Sequence, residues 1–196
     1  MIRGFSLLCK INFNHFSVGD LFFYYTNVIN VHDYSCPKCG AKLPGWEDHG
    51  TYKRYLISFE KGSVLYNTVC PTRSKCASCD STHAILPEFI IPFKSHCLFF
   101  ILAVMKDHFL SPLTVNQICS KYEIAVSTLY RWKAAFLRDK RIWLGALEDA
   151  LTSVDEFLAF LAEKGLHRLH MFFATTNYSF LQNQTGYPKN GRFTPD

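Results

Sequence analysis

Two cysteine pairs of equal spacing dominate the chain: Cys36-Pro37-Lys38-Cys39 and Cys76-Ala77-Ser78-Cys79, with 36 residues between them. Thiolates three positions apart reach one ion when the backbone turns tightly between them, and two such knuckles complete a tetrahedron around Zn²⁺. Cys36, Cys39, Cys76 and Cys79 are therefore the candidate ligands of one zinc ion per chain. Pro37 presets the first turn, and Gly40 can take the left-handed conformation that aims its N–H at a sulfur; Asp80 holds the equivalent place in the second knuckle at some cost. Lys38, Lys42, Arg73 and Lys75 would offset the charge of a tetrathiolate. Cys70 and His83 lie near enough in sequence to compete as ligands, but read as a strand-end thiol and as a packing or outer-shell residue. The rival reading of the pairs is structural or redox thiols.

The eight cysteines do not resemble a secreted disulfide scaffold, because the pairing is local and no signal peptide is read at the N-terminus. The expected location is a reducing cytoplasm, near the nucleoid. No apolar run approaches the roughly 20 residues of a membrane span. The chain has 196 residues, 48% of them hydrophobic and 19% charged, a composition that folds. Its 21 Lys+Arg against 16 Asp+Glu, a formal +5, permit an anionic partner without demanding one.

The elements that must position these groups follow from periodicity. Tyr52–Phe59, a Glu60-Lys61-Gly62-Ser63 turn and Val64–Val69 read as a hairpin between the knuckles, the layout of a zinc ribbon. From Ser95 the period becomes helical. Leu98, Ile101, Leu102, Met105 and Phe109 mark a first helix ending at Ser111-Pro112; a second runs from Thr114 or Val115 to Tyr122; a third runs from Val126 to Arg138 or beyond. The four-residue connection 122–125 makes the last two a helix-turn-helix. On a wheel, Val126, Leu129, Trp132 and Phe136 should bury. Ser127, Thr128, Arg131, Ala134, Ala135 and Arg138 form an acid-free outer face suited to a DNA major groove. Lys133 must snorkel outward, and Tyr130 lies at the flank.

The Ser127-Thr128-Leu129-Tyr130-Arg131-Trp132 run within Thr114–Phe136 resembles the helix-turn-helix of bacterial insertion-sequence transposases. The wider order also resembles a family. Cys36-Pro-x-Cys-Gly, the Tyr52-Lys-Arg-Tyr-Leu strand, Arg73-x-x-Cys-x-x-Cys, Thr82-His83-Ala84-x-Leu86-Pro87 and Pro92 are similar to small bacterial zinc-ribbon/helix-turn-helix proteins allied to the recognition part of transposases. The resemblance covers roughly residues 30–140 and implies double-stranded DNA binding and a mobile-element origin. Two departures stand out: Glu123 replaces the usual turn glycine, and Ala125 replaces the serine N-cap of the recognition helix, a loss of about 1 kcal/mol.

Catalysis is not expected. The 56 residues after Lys140 carry Glu148, Asp149, Asp155, Glu156, Glu163 and Asp196, but no strand-bearing scaffold for a metal-binding carboxylate triad, and the chain has no phosphate loop, nucleophile elbow or HExxH. Ile142–Leu151 reads as amphipathic, and Ser153-Val-Asp-Glu156 as a capping box opening a helix that Gly165 can end. Leu166–Leu181 reads as a further weak helix. His167 and His170 lack a third ligand and read as surface or packing residues. The C-terminal apolar faces would complete the core or form a homodimer interface.

The resulting expectation is an α+β chain: a small zinc-ribbon β-hairpin module followed by an all-α helix-turn-helix bundle. Its divisions are an N-terminal packing segment at 1–30, the ribbon at 31–80, a linker at 81–94, the helix-turn-helix at 95–141, C-terminal helices at 142–181 and a flexible tail at 182–196. Ser127, Thr128 and Arg131 would read bases. Lys121, Tyr130, Lys133, Lys140 and Arg141 would hold phosphates, Arg138 would do either, and Lys53, Arg54 and Arg73 would extend the footprint. No small-molecule substrate is expected. The alternatives are a protein-interaction module and the recognition fragment of a split or truncated transposase.

Overall fold

The computed structural model describes residues 17–176 and 178–182. Most of the expected N-terminal segment and nearly all of the expected tail lie outside the described residues.

Ser17 opens the first helix, α1 (Val18–Val28), through a reciprocal capping box with Asp20. Five strands follow: β1 (Trp46–Thr51), β2 (Arg54–Glu60), β3 (Ser63–Val69), β4 (Thr72–Cys76) and β5 (Thr82–Ala84). Then come α2 (Leu98–Leu110), α3 (Val115–Tyr122), α4 (Val126–Leu151) and α5 (Val154–Thr176).

The zinc-ribbon hairpin expected between the knuckles is overturned by the strand pairing. β2 and β3 do form a hairpin in full register, from Arg54↔Val69 to Glu60↔Ser63, but it is a separate two-stranded sheet. The knuckles attach to a different, three-stranded antiparallel sheet of order β1-β4-β5, in which Trp46 faces Cys76. The hairpin is thus an insertion between β1 and β4. A bulge between Asp48 and Thr51 shifts the register of the β1–β4 pair; there Gly50 has φ +81° and its N–H donates to the Asp48 carboxylate at 2.9 Å.

Nor do the helices form a bundle of their own. Phe59 on β2 packs edge-on against Phe100 of α2 and, at 4.5 Å between centroids, against Tyr122 of α3. Phe100 also meets Trp132 of α4 at 6.0 Å. The stretch between sheet and helices, read as a linker, is core: Ile85, Leu86, Phe89, Ile90 and Ile91 are buried, and the Tyr25 hydroxyl of α1 donates to the Leu86 carbonyl. Each such side chain removed from water contributes about 2 kcal/mol. Among the described residues, the architecture is one mixed α/β core of two small sheets and five α-helices.

The turn between α3 and α4 works without its usual residues. Glu123 takes the left-handed C-cap at φ +52°, ψ +42°, and Ala125 caps α4 with no side-chain hydrogen bond. The Tyr66 hydroxyl on β3 donates to Glu123 at 3.0 Å and ties the hairpin to this turn. α4 runs well past Arg138 and kinks at Gly145 (φ +78°). The Ser153–Glu156 capping box forms, while α5 continues through Gly165 to Thr176.

Beyond the kink, Trp143 gathers Phe157, Phe160, Phe172 and Phe180 into an aromatic cluster, which Phe136 joins to the rest of the core. Asp139 fastens this region. Its carboxylate is fully buried and accepts from Arg138 Nε and from the Leu181 N–H, each at 2.6 Å. Asp139→Ala removes the acceptor from both donors and should destabilise the chain by about 3 kcal/mol, with Asp139→Asn losing less. Urea titration of the two variants measures the difference.

Candidate metal centre and helix surface

The two knuckles are built alike. In each, the first cysteine N–H is bonded five residues on, Cys36 to the Ala41 carbonyl at 2.9 Å and Cys76 to the Ser81 carbonyl at 3.0 Å. In each, the residue after the second cysteine closes the turn, with Gly40 donating to the Cys36 carbonyl and Asp80 to the Cys76 carbonyl, both at 2.9 Å. Gly40 therefore spends its N–H on a carbonyl rather than on the sulfur anticipated from the sequence. Both closing residues are left-handed, with φ +72° for Gly40 and +57° for Asp80. Asp80 is held there by an ion pair with Lys75 at 2.7 Å.

This repeated turn brings the four sulfurs together. Cys36, Cys39, Cys76 and Cys79 place all four Sγ atoms within 4.8 Å of one another, so the cluster could hold a metal ion. Cys36 lies 3.7 Å from Cys79, and Cys39 lies 3.8 Å from Cys76. A tetrahedral ion with metal–sulfur bonds of about 2.3 Å separates its sulfurs by roughly 3.8 Å, whereas a disulfide needs about 2.05 Å. Every described cysteine is a free thiol. The Ser81 side chain and N–H beside Cys79 hold its thiol down to about 6. At Cys39 the pull of the Ala41 N–H is outweighed by burial and the neighbouring sulfurs, which push it up to about 11.

His83 and Cys70 separate cleanly. Cys70 is exposed and outside the cluster. His83 on β5 is buried edge-on to Trp46, with Nε2 3.5 Å from Cys36 Sγ. Burial pushes its imidazole down to about 4, so it is neutral near pH 7 and can offer an N–H to the Cys36 thiolate. Cys97 is buried as the N-cap of α2, and burial pushes its thiol up to about 12. Cys119 is buried in α3. The side chains of His167 and His170 lie outside what is described.

The predicted helix face is rotated from expectation. Leu129, Trp132 and Phe136 are buried as anticipated, but Val126 is 42% exposed and Ala135 is buried. The outward arc of α4 carries Ser127, Tyr130, Arg131, Ala134, Leu137 and Arg141, with Thr128, Lys133 and Arg138 at its margins. Arg131 donates to the Thr128 hydroxyl at 3.1 Å. The Lys133 ammonium passes over the Phe109 and Tyr130 rings on its way to solvent. Lys121 pairs with Asp107 at 2.7 Å, its side chain 40% exposed.

Three of the expected contacts are committed elsewhere. Lys140 is buried, its ammonium bonded to the Asp149 carboxylate at 2.7 Å and to the Asp149 carbonyl. Arg138 bonds Asp139 and the Gln182 carbonyl. Arg54 turns inward and donates to the carbonyls of Ile91 and Lys94. Lys53 and Arg73 remain exposed, Arg73 lying over the Tyr52 ring at 4.5 Å.

The chain thus combines a mixed α/β fold with a four-cysteine cluster able to hold a metal ion. Its residues 36–132 match the family model described as "Domain of unknown function (DUF6431)", a stretch from the first clustered cysteine to Trp132 of α4. No curated protein and no solved structure matches the chain.

Elemental analysis of the purified chain should return one metal equivalent. Cys36→Ser and Cys79→Ser should lose the metal and lower the melting temperature, while Cys97→Ser should keep full metal occupancy. His83→Ala should keep the stoichiometry but weaken affinity about 10-fold in chelator competition.

Proposed function

We propose that this protein is a double-stranded DNA-binding protein in which one structural zinc ion fixes the sheet and the outer face of α4 meets the duplex. The observation that carries the reading is that face: Ser127, Tyr130, Arg131, Ala134 and Arg141 point outward on consecutive turns without a carboxylate among them. Small residues allow close approach, and hydroxyl and guanidinium groups suit base edges and phosphates. Lys121 and Lys133 add charge at its edges, and Lys53 and Arg73 lie on the β side. Arg138 keeps a supporting place, since its guanidinium already serves Asp139 and Gln182; Lys140 and Arg54 are structural and leave the contact set.

Zinc is favoured as the metal because four thiolates in a tetrahedron, all supplied by tight turns, leave no open position for chemistry and suit a borderline-soft ion without geometric preference. The resemblance of Thr114–Phe136 to transposase recognition helices supports the same reading.

A binding role is further supported by five carboxylates of the described residues that have structural partners. Asp107 serves Lys121 and Tyr122, Asp139 serves Arg138, Asp149 serves Lys140, Glu156 caps α5, and Asp80 holds Lys75. Among the described residues, the four cysteines are the group that could hold a metal ion.

Binding to duplex DNA should fall steeply with salt. Four phosphate contacts imply a log–log slope of about −3.6, roughly a 100-fold loss between 50 and 200 mM. Arg131→Glu should reduce affinity at least 10-fold with an unchanged melting temperature, since the side chain is exposed. Fluorescence anisotropy with a labelled duplex reads both effects. A salt-independent complex with another protein, indifferent to Arg131→Glu, would instead favour an interaction module.

A further inference from the structure

The segment joining β5 to α2 contains a turn that neither the metal centre nor the core explains. Lys94 N–H donates to the Ile91 carbonyl at 3.2 Å, closing a four-residue turn with Pro92 second and Phe93 third. Proline is favoured at the second place of such a turn. The third place has φ +62°, which calls for glycine, yet it holds a phenylalanine that is 85% exposed. A bulky side chain in the left-handed region costs about 1–2 kcal/mol, and exposing an aromatic ring forgoes a burial gain of similar size.

The surroundings hold this residue firmly in that unfavourable state. Ile90, Ile91 and Pro92 before it are buried, and Cys97 and Leu98 after it are buried at the start of α2. The Arg54 guanidinium grips the turn from beneath by donating to the carbonyls on either side, those of Ile91 and Lys94. Phe93 is therefore the exposed ring of a rigid turn rather than the tip of a loose loop.

Its position is equally specific. Lys94 lies within electrostatic reach of Arg131, Arg138 and Asp139, and His96, two residues further on, packs its ring 4.9 Å from Trp132. The turn thus flanks the side of α4 that presents Arg131. A flat apolar ring beside a guanidinium-bearing helix face has the composition of a base-stacking site: cationic groups hold the phosphates, and the ring covers a base.

We infer that Phe93 is an aromatic wedge that stacks against a base at a distorted step of the DNA duplex engaged by α4. This rests on the DNA-binding reading and adds to it a residue, a contact type and a deformation. The Arg54 clamp holds the backbone at Phe93 in its turn conformation, so the ring is presented to solvent without a backbone rearrangement when DNA arrives.

Leu43 provides the internal control. It too is apolar, 76% exposed and left-handed at φ +50°, but it sits beside the first metal knuckle. The probe is the duplex enriched from a random pool by the wild-type chain, carrying 2-aminopurine at successive positions. Phe93→Gly removes the ring and relieves the strained φ. It should therefore raise the melting temperature, lower affinity about 10-fold or more, and abolish the 2-aminopurine fluorescence rise that marks an unstacked base. Phe93→Trp should preserve both affinity and signal, and Leu43→Gly should change neither.

If Arg131→Glu abolishes binding while Phe93→Gly binds and perturbs the duplex like wild type, the wedge is overturned and the DNA reading stands. Equal losses in Phe93→Gly and Leu43→Gly would also overturn it, because the effect would then be unspecific. If the wild-type chain enriches no duplex, the DNA reading fails and the wedge fails with it.

Discussion

Convergence of four sulfurs is the constraint on which the rest of the structure depends. Bringing Cys36–Cys39 to Cys76–Cys79 closes a loop of 36 intervening residues, which costs about 4 kcal/mol of chain entropy. The sheet attached to that closure offers little in return. β1 buries Trp46 and exposes its other five residues, and β4 buries only Ser74 and Cys76. Coordination of a structural metal supplies on the order of 10 kcal/mol, enough to exceed the closure term where the apolar area cannot. Once β1 and β4 are paired, both ends of the β2–β3 hairpin are fixed, and Phe59 and Tyr66 are carried to α2, α3 and the turn before α4.

The same dependence explains what the sequence revealed and what it hid. The knuckles were legible because ligand chemistry demands particular residue types at fixed spacing. The β2–β3 hairpin and helices α2 and α3 were legible because apolar periodicity is strong there. β1 and β4, with the sequences Trp-Glu-Asp-His-Gly-Thr and Thr-Arg-Ser-Lys-Cys, have no such pattern. They are strands because the two cysteine knuckles meet and set them side by side, a tertiary cause absent from local propensity. The ribbon expectation failed at this point: it assigned the visible hairpin to the cysteines and missed the polar pair between them. The burial of 85–91 was foreshadowed by Ile85, Leu86, Phe89, Ile90 and Ile91, but Pro87 and Pro92 made the run look like a spacer.

Charge was the least legible property. A count of Lys and Arg says nothing of which cations are free. Lys140 is consumed by Asp149, Arg138 by Asp139 and Arg54 by two carbonyls, so three of the expected contacts are internal fasteners. On the helix wheel Asp139 lies on the buried side of α4 and Lys140 beside it, a placement that required the helix to continue past Arg138. The side of α4 that packs on the core is displaced from the expected one, so Ala135 is buried and Val126 is exposed. Arg131, Lys133 and Arg141 stayed outside, and the basic surface became narrower and better defined than the sequence suggested.

Strain shows the same division between support and availability. Lys61 and Gly62 are left-handed because the hairpin turns there, Asp80 because a knuckle closes there, and Glu123 because α3 must hand over to α4. Asp80 has Lys75, and Glu123 has Tyr66, as a side-chain partner that repays part of the conformational cost. Phe93 has backbone support from Arg54 but leaves its ring in water. Strain that persists without a gain for its own side chain points to a gain realised elsewhere. On the DNA-binding reading, Phe93 would supply the apolar part and Arg131 the cationic part of one surface, the turn being tied to α4 through the ring contact of His96 with Trp132.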